Sequence, residues 1–328
     1  MKAIWYEKNG PARDVLQSGE QPTPQPGPGE VLVQLHASGL NPSDVKARAG
    51  STRKITFPLI IPNSDGAGII AAIGEGVAPS RLGQPVWVYN AQWERAFGTS
   101  AEYVALPDRL APKLPNGLSF AQGACLGIPV LTAHRCLFAD GSPKGKAVLI
   151  TGGAGVVGHY AIQLARWAGA RLVACTVSSL AKAEHARQAG ADIAIDYRQE
   201  NVAEAIRQAT SGHGIDCVVD VDIGTNLPTY LPALATEASI AAYASAGQPI
   251  VSLPFYQIFR ANLSIRPVLV YSLAQATLDR AIADIARWCA ETKPIFSIAA
   301  SFPLAEAIEA HECVEAGAKL GHVLFNIK

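Results

Sequence analysis

The run Gly152-Gly153-Ala154-Gly155-Val156-Val157-Gly158 constrains this chain more than any other stretch. The apolar residues Ala147 to Thr151 lead into it, and a helical pattern from Val157 to Ala168 leads out. Gly153, Gly155 and Gly158 satisfy G-x-G-x-x-G between a buried strand and a helix, the setting in which that spacing carries meaning. The first glycine permits a tight turn, the second lets a pyrophosphate approach the backbone, and the third lets helix and strand pack closely. Free N–H groups from Gly153, Ala154, Gly155, Val156, Val157 and Gly158, with the positive end of the helix dipole, then face the phosphates. The reading is a dinucleotide site at the head of a βα unit.

The sequence around this loop agrees. From about residue 122, apolar runs alternate with helical stretches. The pattern predicts strands at 147–151, 171–176, 192–196, 216–221 and 238–243, and helices at 156–169, 179–189, 200–210 and 226–235. Such alternation implies a parallel sheet covered on both faces, a doubly wound Rossmann domain. Leu263 to Val270 extends the sheet. Helices at about 273–291 and 304–317 follow, then a strand from Gly321 to Ile327. The first third differs. Runs such as Glu30 to Ala37, Gly68 to Ile73, Pro85 to Tyr89 and Glu102 to Leu106 are short and punctuated by Gly and Pro, as in antiparallel structure. The expected fold class is α/β: a mainly antiparallel β domain, residues 1–122 and 268–328, around a Rossmann domain, residues 123–267.

Charge excludes some functions. Lys and Arg number 27 and so do Asp and Glu, so there is no basic footprint for nucleic acid or an anionic membrane. The N-terminus has no apolar signal core, and no apolar run approaches a membrane span. The six cysteines form no C-x-x-C pair, which predicts buried, reduced thiols in a cytoplasmic protein rather than a structural zinc site.

The second strand predicts which dinucleotide is bound. NAD sites place an Asp or Glu on the ribose 2′-hydroxyl about 20 residues past the glycines. Here that strand ends in Thr176-Val177-Ser178-Ser179, with no carboxylate. Ser178 and Ser179 can donate to a 2′-phosphate, and Lys182, one helical turn on, supplies a counter-charge. NADP(H) is the expected cofactor. Ser is also a favoured helix N-cap, a role compatible with this one.

Several runs carry a family resemblance: Gly39-Leu40-Asn41-Pro42-Ser43-Asp44, Asn63-Ser64-Asp65-Gly66-Ala67-Gly68, Gly98 to Tyr103, Gly127 to Ala133, Cys175 to Ser179 and Ile195 to Arg198. Over nearly its whole length the chain resembles the medium-chain dehydrogenase/reductase superfamily, and within it the zinc-independent quinone oxidoreductases, the zeta-crystallin group. The resemblance implies a GroES-like catalytic domain, a Rossmann domain and a homodimer or homotetramer. It gives Asn41, Asp44 and Thr132 positions beside the nicotinamide and substrate. It sets Tyr197 near the 2′-phosphate, Tyr243 at the nicotinamide edge, and the backbone of Leu269 and Val270 at the carboxamide. The zinc-dependent branch carries Cys near Asn41–Ser43 and Gly-His-Glu where this chain has Asn63-Ser64-Asp65, so no metal is expected. Without a Lewis acid to stabilise an alkoxide, hydride transfer favours acceptors that delocalise charge themselves, namely quinones and α,β-unsaturated carbonyls. Some relatives carry a tyrosine near the quinone where this chain has Lys46, which admits a smaller or anionic acceptor. The alternatives are an enoyl-thioester reductase of the same superfamily and a non-catalytic, crystallin-like NADPH-binding or RNA-binding protein. Neutral charge gives no support for RNA binding.

Overall fold

The computed structural model describes all 328 residues. They divide into two compact units, Met1–Ile128 with Phe296–Lys328, and Pro129–Ile295. The first crossing lies six residues beyond the expected boundary. The second is displaced further, from 268 to 295, because the helix Gln275–Glu291 is built into the second unit. Its buried stripe, Leu278, Ala281, Ile285 and Trp288, follows helical spacing. Trp288 packs edge-on to Tyr160 at 6.2 Å, and Asp284 bonds His134 at 2.9 Å.

The first unit is built from β1 (Lys2–Trp5), β2 (Gln17–Glu20), β3 (Glu30–Leu40), β4 (Asp65–Ile73), β5 (Pro85–Val88) and β6 (Tyr103–Pro107). The second contains β7 (Ala147–Ile150), β8 (Leu172–Val177), β9 (Ile193–Asp196), β10 (Ile215–Asp220), β11 (Leu234–Ala242) and β12 (Ser264–Pro267). Two final strands, β13 (Ile298–Pro303) and β14 (His322–Asn326), return to the first unit.

In the first unit, β1 and β2 form an antiparallel pair, and the main sheet runs β13-β14-β3-β4-β5. One edge of β3 is shared: Glu30–Gln34 pairs with β6 and Ala37–Leu40 with β14. All these pairings are antiparallel except β13 with β14. Ile4, Leu40, Val45, Ala307, Ala310, Val323 and Phe325 make one of its cores.

In the second unit the order is β12-β11-β10-β7-β8-β9, parallel throughout. All four residues of β7 are buried, as a central strand covered on both faces requires. The chain fills one side of β7 with β8 and β9, then crosses back to add β10, β11 and β12. That reversal opens a crevice at the carboxyl ends of β7 and β10, the ligand position of such sheets. Leu149, Val218, Ile223, Leu227, Tyr230 and Ile240 belong to the core beneath it.

The predicted strands and helices of the second unit lie within a few residues of those observed. One span shifts: the helix expected at 226–235 starts at Ile223 and ends at Tyr230, and β11 begins at Leu234. No helix is long and apolar enough to cross a membrane.

Candidate active site

The glycine loop follows β7 directly. Gly152 holds a left-handed φ of 64°, so it makes the turn, not Gly153 as the motif alone suggests. Its N–H donates to Thr176 Oγ1 at 3.0 Å, and that of Gly153 to the Thr176 carbonyl at 3.0 Å. A Cβ on Gly153 would collide with the Cys175 side chain, and one on Gly158 with the Gly152 carbonyl. Gly155 is exposed and is the N-cap of the helix Val156–Trp167. A Cβ there meets only the Gly152 carbonyl, at 3.2 Å. The amides of the first turn have no acceptor within their helix, and Val156 and Val157 are only half-buried.

The ends of β8 and β9 bring four predicted residues together. Ser179 is the N-cap of the helix Leu180–Gln188, its Oγ accepting from the Lys182 N–H at 3.4 Å. The Lys182 ammonium turns back and donates to Ser178 Oγ at 2.9 Å. Tyr197 joins them through its backbone, its N–H donating to the Val177 carbonyl at 3.1 Å, and its ring is exposed. A cation is thus held beside two hydroxyls at the point where an NAD site carries a carboxylate.

On the other side of the sheet, Tyr243 follows β11 and donates its N–H to the Asp220 carbonyl at 3.0 Å. Burial, with Cys136 and Asp220 nearby, pushes its phenol well above the usual range, so it stays protonated. Val268 donates to the Ala242 carbonyl at 2.8 Å, which sets Leu269 and Val270 next to Tyr243. Leu269 is exposed while Val270 is buried. Thr132 is buried on the helix Ile128–Phe138.

Sequence reasoning missed the hub of this half. Asp220, fully buried at the end of β10, accepts from Thr151 Oγ1 (2.8 Å), Asn226 Nδ2 (2.8 Å), Tyr230 Oη (2.6 Å) and the Asp222 N–H (2.9 Å). Thr151 Oγ1 in turn accepts from the Val221 N–H at 2.9 Å. The network locks the ends of β7 and β10 where the crevice opens. An acidic residue closing the run Val218-Val219-Asp220 was the available signal.

In the first unit a second polar cluster lies at the end of β3. Asn41 is the N-cap of the helix Pro42–Ala49, and its N–H donates to Asp44 Oδ2 at 2.8 Å. Its side-chain amide donates to Asp65 Oδ2 at 2.7 Å. The Asp65 carboxylate also accepts the Ile128 N–H, at 3.0 and 2.9 Å to its two oxygens. That amide opens the helix Ile128–Phe138, whose dipole favours an anion there. Gly127 must lack a side chain because a Cβ would fall on Asp65 Oδ1.

Asn41, Asp44 and Asp65 are all buried. Burial pushes the Asp44 carboxyl up to about 7, against the opposing pull of the Asn41 N–H and Arg53. Burial, helped by the charge of Asp44, drives Asp65 well above the usual carboxylate range. The pair therefore takes up a proton at a pH where ordinary carboxylates are ionised.

These donors do not fit a catalytic zinc ion. Asn41 presents an N–H, both Asp65 oxygens accept N–H groups, and no group of three or more His, Cys, Asp or Glu side chains is placed to hold a metal. The residues beyond β7 do fit a dinucleotide: a left-handed turn, an open helix N-terminus and a cation on a serine.

Other residues weighed from sequence have structural partners. Tyr89 is buried and donates its hydroxyl to the Arg109 carbonyl at 3.2 Å. His159 is buried, with Nε2 at 3.0 Å from the Ile295 carbonyl. Lys46 is exposed. All six cysteines are free thiols, four of them buried.

Comparison with known proteins agrees with this geometry. Residues 27–116 match the alcohol dehydrogenase GroES-like domain, and residues 156–287 match a domain described as zinc-binding dehydrogenase. Rat quinone oxidoreductase is 30% identical over 99% of this chain and 97% of its own. The chloroplastic NADPH-dependent alkenal/one oxidoreductase of Arabidopsis thaliana is 34% identical over 62% of this chain and 54% of its own. A mycobacterial protein solved in complex with NADPH superposes with a TM-score of 0.86, at 27% identity, covering 100% of both chains.

Proposed function

We propose a function on one premise: the chain belongs to the medium-chain dehydrogenase/reductase superfamily, in its quinone oxidoreductase-like family. It is a zinc-independent, NADPH-dependent reductase of quinones or α,β-unsaturated carbonyls. The observation that carries the reading is the bonding of Asn41 and Asp65 to each other and to Ile128, in place of a thiolate or imidazole donor set.

Bound NADPH supplies a hydride, and the acceptor takes that hydride with one proton, so a quinone becomes a hydroquinone and an enone a saturated ketone. Ser178, Ser179, Lys182 and Tyr197 hold the 2′-phosphate. The amides from Gly153 to Gly158 hold the pyrophosphate. Thr132, Tyr243 and the backbone of Leu269 and Val270 orient the nicotinamide. Asn41 orients the acceptor oxygen, and Asp44, titrating near neutrality, holds a proton for it. This buried, polar arrangement without a Lewis acid suits an acceptor that delocalises its own charge.

The test is NADPH oxidation with 1,4-benzoquinone, 9,10-phenanthrenequinone, a simple enone and crotonyl-CoA in parallel, with NADH and a chelator as controls. Chelator-insensitive turnover of a quinone or enone is expected. Lys182→Ala should weaken NADPH binding about tenfold or more, the loss of one charge-assisted contact to phosphate. A clear preference for crotonyl-CoA would make the chain an enoyl-thioester reductase. NADPH binding without any turnover would make it a non-catalytic dinucleotide-binding protein.

A further inference from the structure

A small pocket, open to solvent, lies in the first unit beside the helix Pro42–Ala49. Residues 53–57 form one wall, with Tyr6, Asn9, Ala47, Gln92 and Glu94 among the rest. The wall is pinned in place. Asn9 Oδ1 accepts from the Ile55 N–H at 3.0 Å, and Asn9 Nδ2 donates to the carbonyls of Ala47 (2.9 Å) and Arg48 (3.2 Å).

Two cations line this pocket, Arg53 and Lys54, and neither forms an ion pair. The Arg53 guanidinium is preset. One nitrogen donates to Gln92 Oε1. Gln92 is itself held, its Nε2 donating to the Arg95 carbonyl at 2.9 Å. The guanidinium carbon sits 5.6 Å above the ring centroid of Trp93, a cation–π seat. The remaining N–H groups of Arg53 meet no protein acceptor. Glu94, the one carboxylate on the wall, pairs with neither cation. Its φ of 55° fixes its backbone in the left-handed region. The lining is thus positive by one charge. Its Arg53 lies near enough to Asp44 and Tyr6 for its field to act on both.

A planar fork held over an aromatic ring loses little freedom on binding a carboxylate, and it binds carboxylates bidentately. We propose that this pocket receives a carboxylate on the acceptor, so that the favoured substrates are α,β-unsaturated ketones bearing a carboxylate, with Arg53 and Lys54 as the specificity determinants. Lys46, the sequence-level candidate for an anion contact, is exposed and not on this wall. The inference rests on the reductase reading. In the step it concerns, hydride from NADPH adds to the alkene carbon β to the ketone and a solvent proton adds to its neighbour. The C=C π bond is lost, and NADP⁺ and the saturated keto acid leave.

The experiment compares trans-4-oxo-2-pentenoate with its methyl ester, which differs only in charge, and uses the unreactive product, 4-oxopentanoate, as a binding probe by calorimetry. Wild type should show a higher kcat/KM for the acid. Arg53→Gln should lower the acid-to-ester ratio about tenfold or more, chiefly through KM, as should Lys54→Gln, an exposed change that leaves the fold intact. Arg53→Lys should restore part of it. Equal use of acid and ester by wild type, or an unchanged ratio in both glutamine variants, overturns the proposal while leaving the reductase standing. If neither compound nor 1,4-benzoquinone turns over but 4-oxopentanoate binds and Arg53→Gln weakens it, the pocket stands and the reductase reading falls.

Discussion

Asp44 does two things at once. It satisfies the N–H of Asn41 at a helix start, and it sits buried near Asp65 with a carboxyl raised from 3.8 to about 7. The folded state therefore binds the Asp44 proton more tightly than the unfolded chain does. The resulting stability is full below about pH 4 and is lost as pH rises through about 7, a change on the order of a few kcal/mol. Asp44→Asn keeps an acceptor for the Asn41 N–H but carries no charge. Its melting temperature relative to wild type should rise from pH 5 to about pH 7 and level off above that. A difference that does not vary with pH would show that Asp44 is not the titrating group.

At the scale of elements, the loop between β7 and its helix separates two demands that one motif conceals. Gly158 is small because the Gly152 carbonyl leaves no room, whereas Gly155 is open and faces where phosphate would lie. Gly158→Ala should destabilise the chain by about 1–3 kcal/mol through overpacking, with NADPH affinity falling as a secondary effect. Gly155→Ala should barely move the melting temperature without cofactor yet abolish most of the thermal shift that NADPH gives. Melting curves with and without NADPH distinguish the two. Elements with a strong period were legible in sequence: the buried runs of β7, β8 and β10 appear within two residues of their predicted ends. The misses lacked any period. β2 is exposed at all four positions, and β13, Ile298–Pro303, alternates poorly because it lies at the sheet edge. In the candidate site, Ser178, Ser179 and Lys182 are neighbours in sequence and could be read together. Asp220 meets Thr151 across 69 positions, and Arg53 acquires meaning only once Gln92 and Trp93 fold against it.

The whole molecule is a parallel-sheet unit set into the chain of an antiparallel one. Every strand of the six-stranded parallel sheet lies within 129–295, whereas the first unit needs β13 and β14 from the far end. Residues 129–295 expressed alone should therefore fold cooperatively and bind NADPH, as followed by circular dichroism and cofactor fluorescence. Removing 296–328 from the full chain should strip Val323 and Phe325 from their core and leave Ala37–Leu40 of β3 unpaired on that edge. The expected result is a protein with a native second unit and an aggregation-prone first one. Two folded halves after that truncation would contradict the inserted arrangement.

The pairing of β14 with β3 also has a consequence for biosynthesis. Leu40 and Val323 are partners in the finished sheet, yet a ribosome moving at 5–20 residues per second makes them roughly 15–60 s apart. Throughout that interval the nascent first unit carries an open strand edge, while the unit encoded in between has everything it needs to fold. The later-made unit should thus be the first to mature, and a chaperone that shields strand edges should engage residues 1–128 during translation.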